Sequence, residues 1–194
     1  MAAVTALQAL RNKGGIQPGQ KVLIFGAGGG VGTFAVQLAK HFGAEVTAVC
    51  GEANVQQARS LGADHVMDYR KEDFAKGGNQ YDLILAVNGG RSLLAYRRVL
   101  APRGTFVMVG GAFSQIISCM LLKSLMSAGG KKMLSFTATA SKTDLEYTTK
   151  FAEEGKVRPI IDRRYPLAQT AEAVRYIGEG HARGKVIVDV SIKA

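Results

Sequence analysis

Five glycines fall within seven residues at Gly26-Ala27-Gly28-Gly29-Gly30-Val31-Gly32. The apolar run Lys21-Val22-Leu23-Ile24-Phe25 leads directly into them, and a segment in which Val31, Phe34, Ala35, Leu38 and Phe42 recur at helical spacing follows. A buried strand, a glycine turn and an amphipathic helix in that order make the opening of a βαβ unit. Gly43 then caps the helix, and Glu45 to Cys50 reads as the second strand.

Glycines at this junction let the backbone turn tightly and approach a pyrophosphate. A helix starting near Gly30 would offer that anion unpaired N–H groups and the positive end of its dipole. The strict G-x-G-x-x-G spacing is met only with alanine first (Ala27-x-Gly29-x-x-Gly32) or as the longer Gly26-x-x-Gly29-x-x-Gly32. The strand before it and the helix after it supply the context that gives the match weight. Gly26, Gly29, Gly30, Val31 and Gly32 are therefore candidate contacts to a dinucleotide, with Gly32 also allowing close packing of helix on sheet.

The same alternation continues along the chain. A helix is expected from about Asn54 to Leu61, strands at His65 to Met67 and Tyr81 to Ala86, and a helix from Ser92 to Leu100. Strands at Thr105 to Val109 and Met133 to Ala138 complete the set. Six strands with intervening helices predict an α/β fold, a doubly wound parallel sheet of order 3-2-1-4-5-6 with flanking helices. Outside it lie an amphipathic helix over Ala2 to Lys13 and a helix to about Glu154 opened by a Ser141/Asp144 capping box. Beyond these come an extended Arg158 to Tyr165, a helix from Leu167 to Gly178, and a strand at Lys185 to Val190. Residues 1–194 are expected to form one Rossmann domain, with a core at about 19–155 and a C-terminal segment at 156–194.

In NAD-binding sheets a carboxylate at the second strand's tip holds the ribose hydroxyls. Here Cys50 and Gly51 stand at that tip and Glu52 follows, which leaves less repulsion toward a 2′-phosphate and points to NADPH, with NADH possible. Arg59, Tyr69 and Arg70 offer charge or hydrogen bonds to that phosphate, or are simply solvated surface. The later strands should end on the same crevice with Val87-Asn88-Gly89, Val109-Gly110-Gly111 and Thr137-Ala138-Thr139. Small residues there would let the nicotinamide and its ribose lie against backbone, although turn chemistry also accounts for the glycines.

Net charge is +10, but the basic residues occur as scattered pairs such as Arg97-Arg98, Lys131-Lys132 and Arg163-Arg164. Without a basic amphipathic helix or aromatic-interleaved motif, nucleic acid is not the expected partner. No apolar run approaches the roughly 18 residues of a membrane helix, and Met1 to Leu10 does not resemble a signal peptide. Cys50 and Cys119 have neither metal-ligand spacing nor disulfide density, and a cytoplasmic location is expected. His41, His65 and His181 lie far apart, so no metal site is expected. There is no G-x-S-x-G elbow, Walker A lysine or Tyr-x-x-x-Lys pair; Tyr147 comes nearest, with Phe151 in the lysine's place. No catalytic residue is named from sequence.

The stretch Gly29-Gly30-Val31-Gly32-Thr33-Phe34-Ala35-Val36-Gln37-Leu38-Ala39-Lys40 resembles zinc-independent medium-chain dehydrogenase/reductases of the quinone oxidoreductase type. So do Ser60-Leu61-Gly62-Ala63-Asp64 with Asp68-Tyr69, Tyr81-Asp82-Leu83-Ile84, and His181-Ala182-Arg183-Gly184-Lys185. The resemblance implies NAD(P)H-linked reduction of quinones, enones or related carbonyls by hydride transfer. It also implies a 2′-phosphate region including Asn54 and Tyr69, and a homodimer paired through the sixth strand. Family members often carry a basic residue near the Asn54 position, and its absence here departs from the NADPH pattern. They also begin with a GroES-like catalytic domain, and this chain starts at the helix that would follow it. Pro159 to Tyr165 and Lys185 to Val190 would border that domain, and the chain alone would bind cofactor with little turnover. Two other readings stand beside this one: a non-catalytic nucleotide-binding or interaction module, and an S-adenosylmethionine methyltransferase, which Cys50 disfavours.

Overall fold

Residues alternate between two buried faces along each central strand, and that alternation builds the domain. In the computed structural model, which describes residues 1–88, 90–110, 128–180 and 182–190, the first strand β1 spans Lys21–Phe25. Val22 and Ile24 face one apolar layer and Leu23 and Phe25 the other. A strand buried on both faces needs helices on both sides, which is the condition for a parallel sheet.

The sheet contains β1, β2 (Glu45–Cys50), β3 (His65–Asp68), β4 (Tyr81–Val87), β5 (Leu100–Val109) and β6 (Lys132–Phe136) in the order 3-2-1-4-5-6. Every pairing is parallel, as the alternation of strands and helices predicts. The order reverses between β1 and β4, so a crevice opens at the carboxyl ends of these two strands.

On one face lie α1 (Ala2–Leu7), α2 (Gly32–His41), α3 (Val55–Ser60) and α5 (Lys142–Glu153), which contribute Leu7, Val36, Leu38, Ala58 and Phe151 to a common core. On the other, α4 (Leu93–Val99) brings Tyr96 into an aromatic nest. The Tyr96 ring lies 5.9 Å from Phe25, 5.3 Å from Phe74 and 4.9 Å from Phe106.

Three local features differ from the pattern-based expectation. The helix from Ala2 passes into a wider π turn over Gln8–Lys13, which ends with the Gly14 amide donating to the Ala9 carbonyl. Strand β5 begins at Leu100 because Leu100 already pairs with Tyr81; an irregularity in the ladder, with Arg103 at φ 64°, absorbs the residues before Thr105. Ser141 does cap α5 by accepting from the Asp144 amide at 3.2 Å. The Asp144 carboxylate goes instead to Gln8 Nε2 at 2.7 Å and to Arg11, pinning α5 to the N-terminal helix.

The C-terminal segment forms its own βαβ unit. Strands β7 (Ile161–Pro166) and β8 (Lys185–Asp189) pair in parallel as a two-stranded sheet, and α6 (Thr170–Gly178) connects them. One polar link to the main sheet runs through Gln37, a buried side chain on α2, beside the apolar packing of Val157 and Ile160 on the common core. Gln37 Nε2 donates to the Arg158 carbonyl at 3.0 Å, and its Oε1 accepts from the Arg158 amide at 2.8 Å.

Candidate functional site

The glycine turn forms the floor of a cleft of about 1110 Å³ at the carboxyl ends of β1, β2, β4 and β5. Its geometry follows from steric exclusion. Gly26 has φ 80°, and a Cβ there would meet the Val87 carbonyl oxygen at 2.5 Å. The amides of Gly26 and Ala27 both donate to the Val49 carbonyl, at 3.0 and 3.1 Å, which clamps the turn between β2 and β4. Gly28 has no room for a side chain either, because Asn54 lies 2.5 Å from the place a Cβ would take.

Gly29, Gly30 and Val31 line the cleft. Among the described residues no acceptor meets the amides of Gly30 and Val31, and these lead into the first turn of α2. Unpaired donors at a helix start favour an anion. Gly32 does not line the cleft. It is buried, and a Cβ there would lie 2.1 Å from the Gly26 carbonyl oxygen, so its part is to seat the helix against the turn.

The β2 side of the cleft carries Cys50, Gly51, Glu52, Asn54, Tyr69 and Arg70. Burial, with the Asp68 charge adding to it, pushes the Cys50 thiol up to about 11, so this thiol is neutral at physiological pH. Tyr69 stands with its phenol oxygen 3.2 Å from where a Gly51 Cβ would be. The Asn54 side-chain oxygen is buried without a hydrogen-bond partner among the described residues. Glu52 is held at 2.6 Å by Lys71, an exposed pair. Arg59 turns away, lining a smaller depression at the opposite ends of the strands with Glu45 and His65.

On the β4 and β5 side Val87, Asn88, Gly110 and Arg91 complete the wall. Asn88 adopts φ 58° and donates its amide to the Val109 carbonyl at 3.1 Å. Gly111 and Gly89 lie outside the described residues. Thr137, exposed just beyond the end of β6, is not brought to this cleft.

The remaining wall had no signal that strand and helix periodicity alone could supply. It comes from the β7–α6–β8 unit, which contributes Arg163, Tyr176, Arg183 and Lys185. The Arg163 guanidinium lies 3.9 Å above the Tyr176 ring, and the Tyr176 hydroxyl donates to Asp162 at 2.7 Å. Lys185 belongs to the His181-Ala182-Arg183-Gly184-Lys185 stretch singled out in the sequence, but only the fold carries it to the glycine turn. Five cationic side chains thus line the cleft among the described residues, against the single carboxylate of Glu52. The arrangement suits an extended, phosphorylated anion with a polar ring at each end.

Among the described residues no group of three or more His, Cys, Asp and Glu side chains is arranged to hold a metal, and no helix is long and apolar enough to cross a membrane. These residues do not fit a zinc site, and no zinc ligand is assigned to them.

Comparison with known proteins places this geometry. Residues 61–188 match the model of a family described as zinc-binding dehydrogenase. The chain is 34% identical over 97% of its length to the chloroplast envelope quinone oxidoreductase homolog of Arabidopsis thaliana, covering 60% of that protein. It is 32% identical over 97% of its length to human NAD(P)H oxidoreductase RTN4IP1, mitochondrial, covering 53% of it. Among solved structures, the quinone oxidoreductase of Coxiella burnetii superposes with a TM-score of 0.88 at 29% identity, over 98% of this chain and 59% of that one. The chain therefore spans a little over half the length of these relatives.

Proposed function

Since the chain belongs to the zinc-binding dehydrogenase family, in its medium-chain quinone oxidoreductase-like branch, we propose that it forms the cofactor-holding part of an NAD(P)H-dependent reductase of quinones, enones or related carbonyls. The observation that carries this reading is the glycine turn itself. Its free amides and the start of α2 open into a cleft lined by five cationic side chains, at the switch point of the sheet.

The residues fit a nicotinamide dinucleotide. The amides of Gly30 and Val31 would take the pyrophosphate. Cys50, Gly51, Asn54 and Tyr69 would border the adenosine ribose, with the orphaned Asn54 oxygen available to a hydroxyl donor. Val87, Asn88 and Gly110 would border the nicotinamide half. When bound, the nicotinamide supplies the hydride, and the chain's own residues bind and orient it.

NADPH is the form we favour. No carboxylate ends β2, Glu52 is engaged by Lys71, and Arg70 and Tyr69 line the same corner. The reading treats residues 1–194 as one nucleotide-binding unit with its core at about 19–155, and extends to a homodimer through the outer edge of β6 and a cytoplasmic location. The relatives named above include chloroplast and mitochondrial proteins.

Parallel calorimetric titrations with NADPH and NADH at fixed salt test the proposal. Binding of both, tighter for NADPH, is the expected result. Absence of binding to either sinks the dinucleotide reading, and equal affinities sink the assignment of Cys50, Tyr69 and Arg70 as a 2′-phosphate corner.

A further inference from the structure

Charge is unevenly shared along the chain. Residues 83–143 hold eight Lys and Arg and no Asp or Glu, so this stretch carries +8 of the net +10. Its basic pairs are apart in sequence, but the fold gathers two of them at the amino ends of β5 and β6, opposite the cleft. Lys131 Nζ donates to the Arg97 carbonyl in the last turn of α4, at 2.9 Å. A Cβ at Gly130 would find Arg103 Cγ at 3.5 Å. Lys132 opens β6 in register with Thr105, and Arg98 follows Arg97 on the helix end.

Helix-end chemistry accounts for one of these cations. Lys131 is engaged by the α4 carbonyl, and burial, with the Arg97 charge adding to it, holds its ammonium below the usual lysine range. Arg98, Arg103 and Lys132 are exposed, and among the described residues no carboxylate pairs with them. Arg103 also adopts φ 64°, a left-handed conformation that glycine or asparagine takes at less cost. Like charges gathered around a strained residue work against the isolated domain, and an anionic partner reverses the sign of that repulsion.

We infer that this end of the domain is a docking surface for an anionic lipid bilayer, on which the protein lies without spanning it. Two features select lipid. Leu94, 68% exposed, stands three and four residues before Arg97 and Arg98 on α4, the spacing that puts an apolar tip on the same helix face as the cations. Pro102 is exposed beside Arg103. Apolar tips among basic side chains suit the headgroup layer of a bilayer. A single-stranded nucleic acid would be held by aromatic stacking as well as charge, and the one aromatic side chain of α4, Tyr96, is buried in the aromatic nest. Because the surface and the glycine turn lie at opposite ends of the strands, the docked protein keeps its cleft open to water. The inference stands on the charge pattern and does not use the dinucleotide reading.

The experiment is sedimentation of the full chain with phosphatidylcholine vesicles, with and without phosphatidylserine, at low salt and at about 0.5 M salt. Binding that requires phosphatidylserine and is lost at high salt is the expected result. The triple variant Arg98→Gln, Arg103→Gln, Lys132→Gln should weaken it about a hundredfold, at about fivefold for each basic residue near an anionic surface. A second triple, Lys142→Gln, Lys150→Gln, Arg175→Gln, removes the same charge from exposed positions on α5 and α6 and should weaken it by less than about threefold. Leu94→Ser should weaken it about fivefold and leave its salt dependence unchanged.

Binding to neither vesicle, or binding indifferent to phosphatidylserine, overturns the inference. Equal weakening by the two triple variants would also overturn it, since net charge alone would then be read. Tighter binding to a single-stranded RNA oligonucleotide than to the vesicles, lost in the first triple variant, would assign the surface to nucleic acid instead and overturn the lipid assignment. Circular dichroism and urea unfolding check that each variant is folded. Should the first triple unfold, its three single variants, each expected to weaken binding about fivefold, make the same comparison.

Discussion

Replacing Gly32 with alanine, beside the same change at Gly29, separates the two tasks of the glycine turn. At Gly32 the new Cβ falls 2.1 Å from the Gly26 carbonyl oxygen, 2.7 Å from the Ala27 Cα and 2.8 Å from the Gly26 carbonyl carbon. A carbon and an oxygen approach comfortably to roughly 3.3 Å, so the start of α2 must back away by about 1 Å. The obstructing atoms are backbone, and no rotamer change relieves them. Overpacking of this kind costs about 1–3 kcal/mol, offset by at most about 1 kcal/mol from the better helix propensity of alanine. A net loss of about 2 kcal/mol corresponds to a fall in Tm of about 4–8 °C for a chain of this size.

At Gly29 the nearest atom to a new Cβ is the Gly26 oxygen at 3.7 Å, an ordinary contact, so stability should change by less than about 0.5 kcal/mol. Its methyl would instead stand in the cleft and keep the pyrophosphate off the backbone, weakening NADPH by about tenfold. Urea unfolding followed by circular dichroism reads the first effect and calorimetry the second. A Gly32→Ala protein with an unchanged urea midpoint would refute the packing argument. Destabilisation by Gly29→Ala equal to that by Gly32→Ala would refute the division of labour.

Further outcomes follow from single side chains. Hydrogen bonding from Gln8, with Arg11 beside it, holds the Asp144 carboxyl below its usual range. A depressed carboxyl contributes stability above its unfolded value near 3.8 and loses it as pH falls through the native one. The unfolding free-energy gap between the natural chain and Asp144→Asn should therefore be constant near neutrality and shrink below about pH 4; the same gap at pH 3 and pH 7 would contradict this. With its thiol pushed up to about 11, Cys50 should resist iodoacetamide at pH 8 in the folded protein and react in urea. Peptide mapping checks this site by site, and equal labelling in both states would count against it. The Tyr96 hydroxyl is buried in the aromatic nest with no hydrogen-bond partner among the described residues. Tyr96→Phe should accordingly be neutral or stabilise by about 1 kcal/mol in urea unfolding, and a clear loss would reveal an unseen partner.

Local order was legible wherever one period dominated. Lys21–Phe25 and Glu45–Cys50 stand out as strands because every residue but the first of each is buried or nearly so, and a continuous apolar run between glycine punctuation has few other uses. The sheet order follows from the same alternation, since right-handed crossovers leave few topologies for two mononucleotide-binding halves. For the site, glycine spacing and the absence of a carboxylate at the tip of β2 depend only on neighbours in the chain, and Gly26, Gly29, Gly30, Cys50, Asn54 and Tyr69 do line one cleft.

What only the tertiary structure decided is which distant charges face that cleft. Arg59 and Arg70 are equally plausible from sequence, yet the turn after β3 brings Arg70 in while α3 carries Arg59 to the opposite ends of the strands. Gly32 satisfies the fingerprint but is consumed by packing, because the helix cannot seat against the turn with any larger residue there. Lys185 is 155 residues from Gly30 along the chain. Periodicity reports which face of an element is apolar; it carries no record of where a second sheet docks. Here part of the docking runs through one buried glutamine and two backbone groups of Arg158, whose pairing is satisfied only once both units are folded.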